Sequence, residues 1–432
     1  MSQVPLPSTD KPRIVVIGGG FAGIKLVKRL KNLPVQVVLF DRNNYHTFQP
    51  LLYQVATAGL EPDSIADPLR KQLEPVKNFF FRMAEVYSIE PENNLIKTEI
   101  GEVKYDYLVL ATGSKTNFFG NESIMQNGFP LKQIPQALDL RSHILQNFEA
   151  ANIATDEKEL ASRMNVVIVG GGPTGVEVAG AMGELKNNIL PGDYPELDFG
   201  LMTITLLEGD DRLLRGMSEA SGKRALKYLE KFGVKVRLNT MVKSYDGLVA
   251  DLGDGGHIST HTLIWAAGVK GNFPKGLNKE SIDKGRLLVD PYNAVKGHDN
   301  VFAIGDIAMM SSDEFPQGHP MLAPVAIQQG EHLAQNFKHI LSGKQKKAFK
   351  YKDQGSMATV GRNKAVADIG NMKVGGFMAW LIWMFIHLIS IIGFRNKIIV
   401  FSNWVWNYFT YDKGTRLIIR KFIPKNRIKE EV

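Results

Sequence analysis

Two glycine-rich segments have the composition and spacing to hold phosphate: Gly18-Gly19-Gly20-Phe21-Ala22-Gly23 and Gly170-Gly171-Gly172-Pro173-Thr174-Gly175. G-x-G-x-x-G lets the backbone turn tightly and approach a pyrophosphate. The N-terminus of the following helix then supplies N–H groups and a positive dipole end. Two such turns predict two bound dinucleotides, one able to pass electrons to the other. The chain contains no cysteine. A redox-active disulfide, a disulfide framework and a cysteine-ligated zinc or iron–sulfur site are therefore excluded. No histidine spacing suggests a metal site, and His46 and His387 have no assigned role.

Each turn has the surroundings it needs. Arg13 to Ile17 is a short, apolar, β-branched run and predicts a buried strand. Ile24 to Leu30 has helical spacing, and Val35 to Phe40 predicts a second strand ending in Asp41, placed to bind ribose hydroxyls. The second unit repeats this with strand Asn165 to Val169, helix Val176 to Leu185 and strand Thr203 to Leu207, which ends in Glu208. Lys186 to Gly200 is expected to be a loop. An acid at Glu208 favours a free 2′-hydroxyl, hence NAD over NADP, although Arg212 is close enough to blunt that preference. Further apolar strands end in small-residue turns at Ala111-Thr112-Gly113 and Ala267-Gly268, and another in Gly305-Asp306.

The chain has 432 residues, 44% of them hydrophobic, enough for two or three full-sized domains. Met1 to Pro12 lacks an apolar signal region, and no secretory leader is expected. The net charge is +8, and +6 of it lies from Arg395 onward. Such a tail suits nucleic acid or anionic lipid, and its neighbours decide for lipid. Residues 374–394 carry no Lys, Arg, Asp or Glu, and Trp404, Trp406, Tyr408, Phe409 and Tyr411 follow. Leu417, Ile418, Phe422 and Ile423 alternate with Arg416, Arg420, Lys421 and Lys425 in a basic amphipathic pattern. As one helix, residues 374–394 would reach about 31 Å, just enough to span a bilayer. Gly375, Gly376, His387 and Ser390 favour a monotopic attachment instead. Burial in a domain or dimer interface is the alternative.

These features resemble the flavoproteins with two dinucleotide-binding domains, and within them the type II NADH:quinone oxidoreductases. The resemblance is carried by Asp41 to Ala56 (D-R-N-N-Y-H-T-F-Q-P-L-L-Y-Q-V-A), by Gly175-Val176-Glu177 and by Ala323 to Gln329. It implies an α/β fold with two Rossmann-like domains, the second inserted in the first, plus a C-terminal amphipathic membrane-anchoring segment. It implies FAD on Gly18, Gly20, Phe21, Ala22, Gly23, Asp41, Arg42, Ala84, Ala111, Thr112, Gly113, Asp306 and Ala326. It implies NADH on Gly170, Gly172, Thr174, Gly175, Glu177, Glu208, Ala267 and Gly268. A quinone, ubiquinone or menaquinone, would meet Ala323, Ile327, Gln328 and Lys397. Glu177 is the candidate catalytic group, orienting nicotinamide or relaying protons, unless it only complements a helix N-terminus. Lys397 either helps a proton reach the quinone or faces lipid as one more cation. Pro324 replaces the first Gln of the family's Ala-Gln-x-Ala-x-Gln pattern and cannot make its amide contact.

The expected regions are an FAD domain at 1–117 and 287–343, an NADH domain at 118–286 and a membrane-association and dimerisation region at 344–432. The implied enzyme is a homodimer, peripheral on the cytoplasmic face of the inner membrane, without nucleic acid. Sulfide:quinone and disulfide chemistry fall with the missing cysteines. A soluble-acceptor reductase of the ferredoxin type and a non-catalytic nucleotide-sensing membrane protein remain open.

Overall fold

A computed structural model describes residues 2–74 and 76–423. Lys425 therefore lies outside the described residues. The chain forms two compact units: Met1–Thr47, Asp67–Lys115 and Val269–Asp353 make the first; Phe48–Ala66, Thr116–Gly268 and Gln354–Val432 make the second.

The first unit is built on a five-stranded sheet in the order Val301–Ala303, Tyr107–Leu110, Arg13–Ile17, Gln36–Asp41, Phe79–Met83. All neighbours are parallel, with Ile17 paired to Phe40 and to Leu110. Ile14, Val15 and Val16 are fully buried, as expected for strands covered on both faces. Helix Phe21–Leu30 buries Ile24, Leu26, Val27 and Leu30 and packs against helix Ala323–Leu341. Pro324 sits in the first turn of that second helix, where its missing N–H would have had no partner. The departure from the family pattern is thus a good helix start.

The second unit repeats the design. Its sheet runs Phe129–Pro130, Thr262–Trp265, Val166–Val169, Ile204–Leu207, Val234–Arg237, again all parallel. Helix Pro173–Asn188 follows the glycine turn. It runs into the expected loop, which also holds a helical turn at Leu190–Asp193.

The region expected from residue 344 divides between the two units. Lys344 to Asp353 belong to the first unit, and the rest joins the second. An antiparallel sheet of Ser356–Thr359, Ala365–Ile369 and Met372–Gly376 packs on helices Pro173–Asn188 and Glu219–Lys231. Asp368 accepts from Ser218 N at 2.5 Å and from Ser221 Oγ at 2.7 Å, closing the start of helix Glu219–Lys231 from outside. Residues 48–66 join the same unit.

Residues 374–394 are not one helix. Val374 to Gly376 end a strand, helix Phe377–Ser390 has 14 residues, and Gly393 (φ +87°) precedes helix Phe394–Thr410. Fourteen residues reach about 21 Å, short of a ~30 Å hydrocarbon core. Among the described residues no helix is long and apolar enough to cross a membrane.

Candidate functional site

The first glycine turn is forced by close approach. Gly18 has φ +107°, and a Cβ there would lie 2.3 Å from the Ala111 carbonyl oxygen. A Cβ on Gly23 would lie 1.9 Å from Gly18 O, whereas Gly20 faces open space. Asp41 does not hang free at its strand end: Gly19 N–H donates to it at 2.6 Å and Asn43 N–H at 2.7 Å. Burial raises its pKa against those two bonds and nearby Arg42. Arg42 is exposed. Ala84 is buried, and its N–H donates to Asp41 O at 2.9 Å.

Gly305 (φ +77°) seats its Cα between Ala22 and Ala326, and this brings the expected Asp306 and Ala326 to the start of the first helix. Ser114 Oγ donates to Asp306 at 2.5 Å. Gly113 (φ +65°) faces open space. Two buried side chains here gave no spacing signal. His46 packs edge-on to Phe21 at 4.8 Å and meets Gly19 O at 3.1 Å through Nδ1. Since Gly19 O only accepts, Nδ1 carries the proton and Nε2 is an acceptor; burial holds the ring neutral, with its pKa lowered to about 4. Gln329 accepts from Gly305 N–H at 2.7 Å. His46 Nε2, Gln329 Nε2 and Thr112 Oγ1 are buried without a hydrogen-bond partner.

The second turn repeats the backbone pattern of the first. Gly170 has φ +110° and lies against Ala266 and Ala267, and a Cβ on Gly175 would sit 1.8 Å from Gly170 O. Gly171 N–H donates to Glu208, which also accepts from Asp210 N–H at 2.8 Å. Gly172 faces open space and Thr174 is exposed. The Arg212 guanidinium donates to Met217 O at 3.1 Å and Arg215 O at 3.0 Å. Gly268 (φ +100°) carries the Phe119 ring against it.

Glu177 is fifth in its helix, past the first turn, so the helix N-terminus does not explain it. It is buried rather than turned to the open mouth at Gly172. Burial pushes its pKa up to about 8, opposed by a hydrogen bond from Thr359 N–H and by the Trp383 indole. That indole N–H makes no hydrogen bond of good geometry. Thr359 and Trp383 also line a cavity of about 120 Å³ with Tyr53, Gln54, Trp380 and Trp404, several times what one water needs. A polar chain crosses it: Trp404 Nε1–H donates to Gln54 at 2.9 Å, and Gln54 donates to Tyr53 Oη at 2.8 Å. Tyr53 titrates well above its ordinary range, from burial first and then Glu177. His387 stacks on Trp383 at 4.1 Å and stays neutral, its pKa lowered by burial to about 4.

The quinone candidates divide. Ala323 begins helix Ala323–Leu341 and Ile327 is half-buried in it. Gln328 is occupied: its amide donates to Lys352 O at 2.9 Å and accepts from Lys352 N–H at 3.0 Å. Lys397, in the other unit, donates to Ile389 O at 2.6 Å, satisfying a carbonyl at the end of helix Phe377–Ser390. Of the tail, residues 411–423 are irregular. Arg416 pairs with Asp193 at 2.6 Å and Arg420 with Asp139 at 2.5 Å. Phe422 packs on Phe129, and its backbone exchanges two hydrogen bonds with the Gln146 amide. Both cations thus pair with acids of their own unit.

The family model for pyridine nucleotide-disulphide oxidoreductases matches residues 12–330, and the model for the NDH2 C-terminal domain matches residues 354–411. The paired turns and this match define the class. The chain belongs to the type II NADH:quinone oxidoreductase family. It is 36% identical to type II NADH:quinone oxidoreductase NdhA of Mycobacterium tuberculosis over 98% of this chain and 92% of that protein. It is 29% identical to the type II NADH:quinone oxidoreductase of Staphylococcus aureus over 85% and 92%. In fold it is similar to NDH2 from Plasmodium falciparum in complex with NADH: TM-score 0.87, 21% identity, 95% of this chain and 100% of that one.

Proposed function

We propose that this enzyme oxidises NADH through FAD and passes two electrons to a quinone at a membrane surface, without moving protons across it. The observation that carries the reading is the pair of glycine turns, each with its acid fastened to the second glycine, in a chain without cysteine. Bound FAD supplies a ring that takes a hydride and releases two electrons.

The first unit fits FAD. His46 Nε2, Gln329 Nε2 and Thr112 Oγ1 are partnerless donors and acceptors beside the turn, and buried polar atoms ordinarily have partners. Gly18 to Gly23 with Asp41 would hold the adenosine and pyrophosphate, and Asp306, Ala326 and Thr112 the rest. The second unit would hold NADH over Gly170 to Gly175, with Glu208 on the ribose. Its charge repels a 2′-phosphate, and Arg212 is engaged elsewhere.

For the quinone ring we assign the aromatic cavity of the second unit. Trp380, Trp383 and Trp404 offer apolar walls, and Tyr53 and Gln54 offer donors. Glu177, with a pKa of about 8, holds a proton at neutral pH and can supply one of the two protons a reduced quinone takes up, the other coming from solvent. Ala323, Ile327 and the expected roles of Gln328 and Lys397 rest on the resemblance alone. Membrane attachment is supported by Phe377, Phe385, Ile389, Phe394, Phe401 and Phe409, all exposed on the two C-terminal helices, a much larger apolar surface than scattered single residues give. The homodimer and the cytoplasmic face rest on the resemblance.

The test is the flavin spectrum of detergent-purified protein under anaerobic conditions. NADH should bleach it, a soluble quinone should restore it, and NADPH should act much more slowly. Bleaching that no quinone reverses would point to a soluble protein acceptor, and absence of flavin would overturn the enzyme reading.

A further inference from the structure

Phe119 stands in a backbone conformation that suits it poorly. Asn121 N–H donates to Phe118 O at 2.9 Å across Phe119 and Gly120. Both central residues have positive φ, +52° and +81°, the signature of a type I′ turn. Such turns take Asn, Asp or Gly at the first central position, and a bulky side chain there is a genuine outlier. The strain is held in place by Asn117. Its side chain accepts from Phe119 N–H at 3.0 Å, its own N–H donates to Gly268 O at 3.2 Å, and its carbonyl accepts from Trp265 Nε1–H at 2.9 Å.

The ring gains little core burial from this. Phe119 is 69% exposed, whereas its neighbour Phe118 stacks on Trp265 at 6.0 Å and packs against the core. Phe119 instead lies edge-on to Trp265 and directly over Gly268, where a Cβ would meet Phe119 Cζ at 2.9 Å. Gly268 is therefore required twice, for its φ of +100° and for the ring above it.

The place is informative. In this sheet strand Val166–Val169, which feeds the glycine turn, lies between Ile204–Leu207, which leads to Glu208, and Thr262–Trp265, which leads to Gly268. A dinucleotide lies across the carboxyl ends of such strands where their order reverses. With the adenine ribose at Glu208 and the pyrophosphate at Gly170 to Gly175, the other half of the molecule extends over the Gly268 turn. We propose that the Phe119 ring is a contact for the nicotinamide half of NADH, held over Gly268 by a strained turn that the fold maintains for that purpose. This rests on residues 116–268 being the NADH-binding region. Aromatic rings meet such a ligand by offset stacking or edge contact, and strained residues concentrate where a ligand is clamped.

Phe119→Asn separates contact from architecture, because asparagine suits the turn better than phenylalanine. In the flavin-loaded full-length enzyme, its thermal midpoint should hold or rise. Anaerobic stopped-flow reduction by NADH should show an apparent Kd raised about three- to tenfold, the scale of one aromatic contact. Reoxidation of the dithionite-reduced flavin by quinone should not change, and Phe119→Tyr should keep NADH binding within about twofold of wild type. Wild-type NADH binding in Phe119→Asn, or a lowered midpoint with no rescue by Phe119→Tyr, would overturn the assignment. A wild-type enzyme whose flavin NADH does not reduce would overturn the reading of the whole unit, independently of Phe119.

Discussion

The two glycine turns share a backbone and differ in what surrounds it. Both begin with a glycine at φ near +110°, both end with a glycine whose Cβ would strike the first one's carbonyl, and both fasten the second N–H to an acid. Around the first, His46 and Gln329 are buried with polar atoms unpartnered. Around the second, Pro173 and Thr174 are exposed and an exposed phenylalanine covers the flanking turn. On the proposed assignment, the same loop would serve a resident ligand in an enclosed setting and an exchanging one in an open setting. Burial, rather than the motif, separates the two.

The largest expected effects test that division. Gly23→Ala and Gly175→Ala each push a methyl to within 2 Å of a backbone oxygen, 1.9 Å and 1.8 Å respectively. Neither contact can be relieved without moving the turn. Gly23→Ala should purify without flavin or fail to fold. Gly175→Ala should remain yellow and reducible by dithionite, with the rate of reduction by NADH down on the order of 100-fold, the scale of a misplaced substrate. Flavin-to-protein absorbance ratios and stopped-flow traces decide. Equal flavin loss in both variants would break the comparison.

A smaller effect sits two residues past each final glycine. Lys25 holds that place in the first helix and pairs on the surface with Glu331 at 2.9 Å, so Lys25→Ala should change stability by no more than about 1 kcal/mol. Glu177 holds it in the second, buried, with its pKa raised from 4.5 to about 8. The folded state therefore binds the proton more tightly than the unfolded one. Wild-type stability is full below about pH 4.5 and declines as pH rises through about 8, by at most about 1.4 kcal/mol per unit. Glu177→Gln cannot ionise. Its melting temperature should gain on wild type steadily from pH 5 to 8.5, and a constant difference would refute the buried proton.

Much of this was legible in the sequence because local patterns dictate it. The strands at Arg13 and Val166, both turns and both acids follow from β-branched runs and glycine spacing. The features that long-range packing decides were not legible. Residues 374–394 are uniformly free of charge, yet Val374 to Gly376 pair with Ala365 to Ala367, and Gly393 separates helix Phe377–Ser390 from helix Phe394–Thr410. Arg416 and Arg420 looked lipid-directed until Asp193 and Asp139 came within reach. Gln328 carried the family pattern, but Lys352, 24 residues away, takes both ends of its amide. His46 and Gln329 emerge only once the turn has folded onto them.

The smallest predicted effect separates the two acids. Asp41 and Glu208 make the same bond to the second glycine, and each takes a second backbone N–H on its other oxygen, so the amide isosteres remove the charge and keep only one of the two acceptors. Asp41→Asn should weaken flavin retention and leave the NADPH-to-NADH ratio of kcat/KM alone. Glu208→Gln should raise that ratio about tenfold by removing repulsion of a 2′-phosphate. It should not invert the preference, because the Arg212 guanidinium is anchored on Met217 O and Arg215 O and the substitution adds no new cation to receive the phosphate. Adding Met217→Ala would leave both carbonyls in place, so it should not release Arg212. A cation must instead be introduced at Asp210, beside the Glu208 carboxylate. If Glu208→Gln leaves the ratio unchanged, the acid serves the turn and not the ribose, and the second site would have to choose its nucleotide elsewhere.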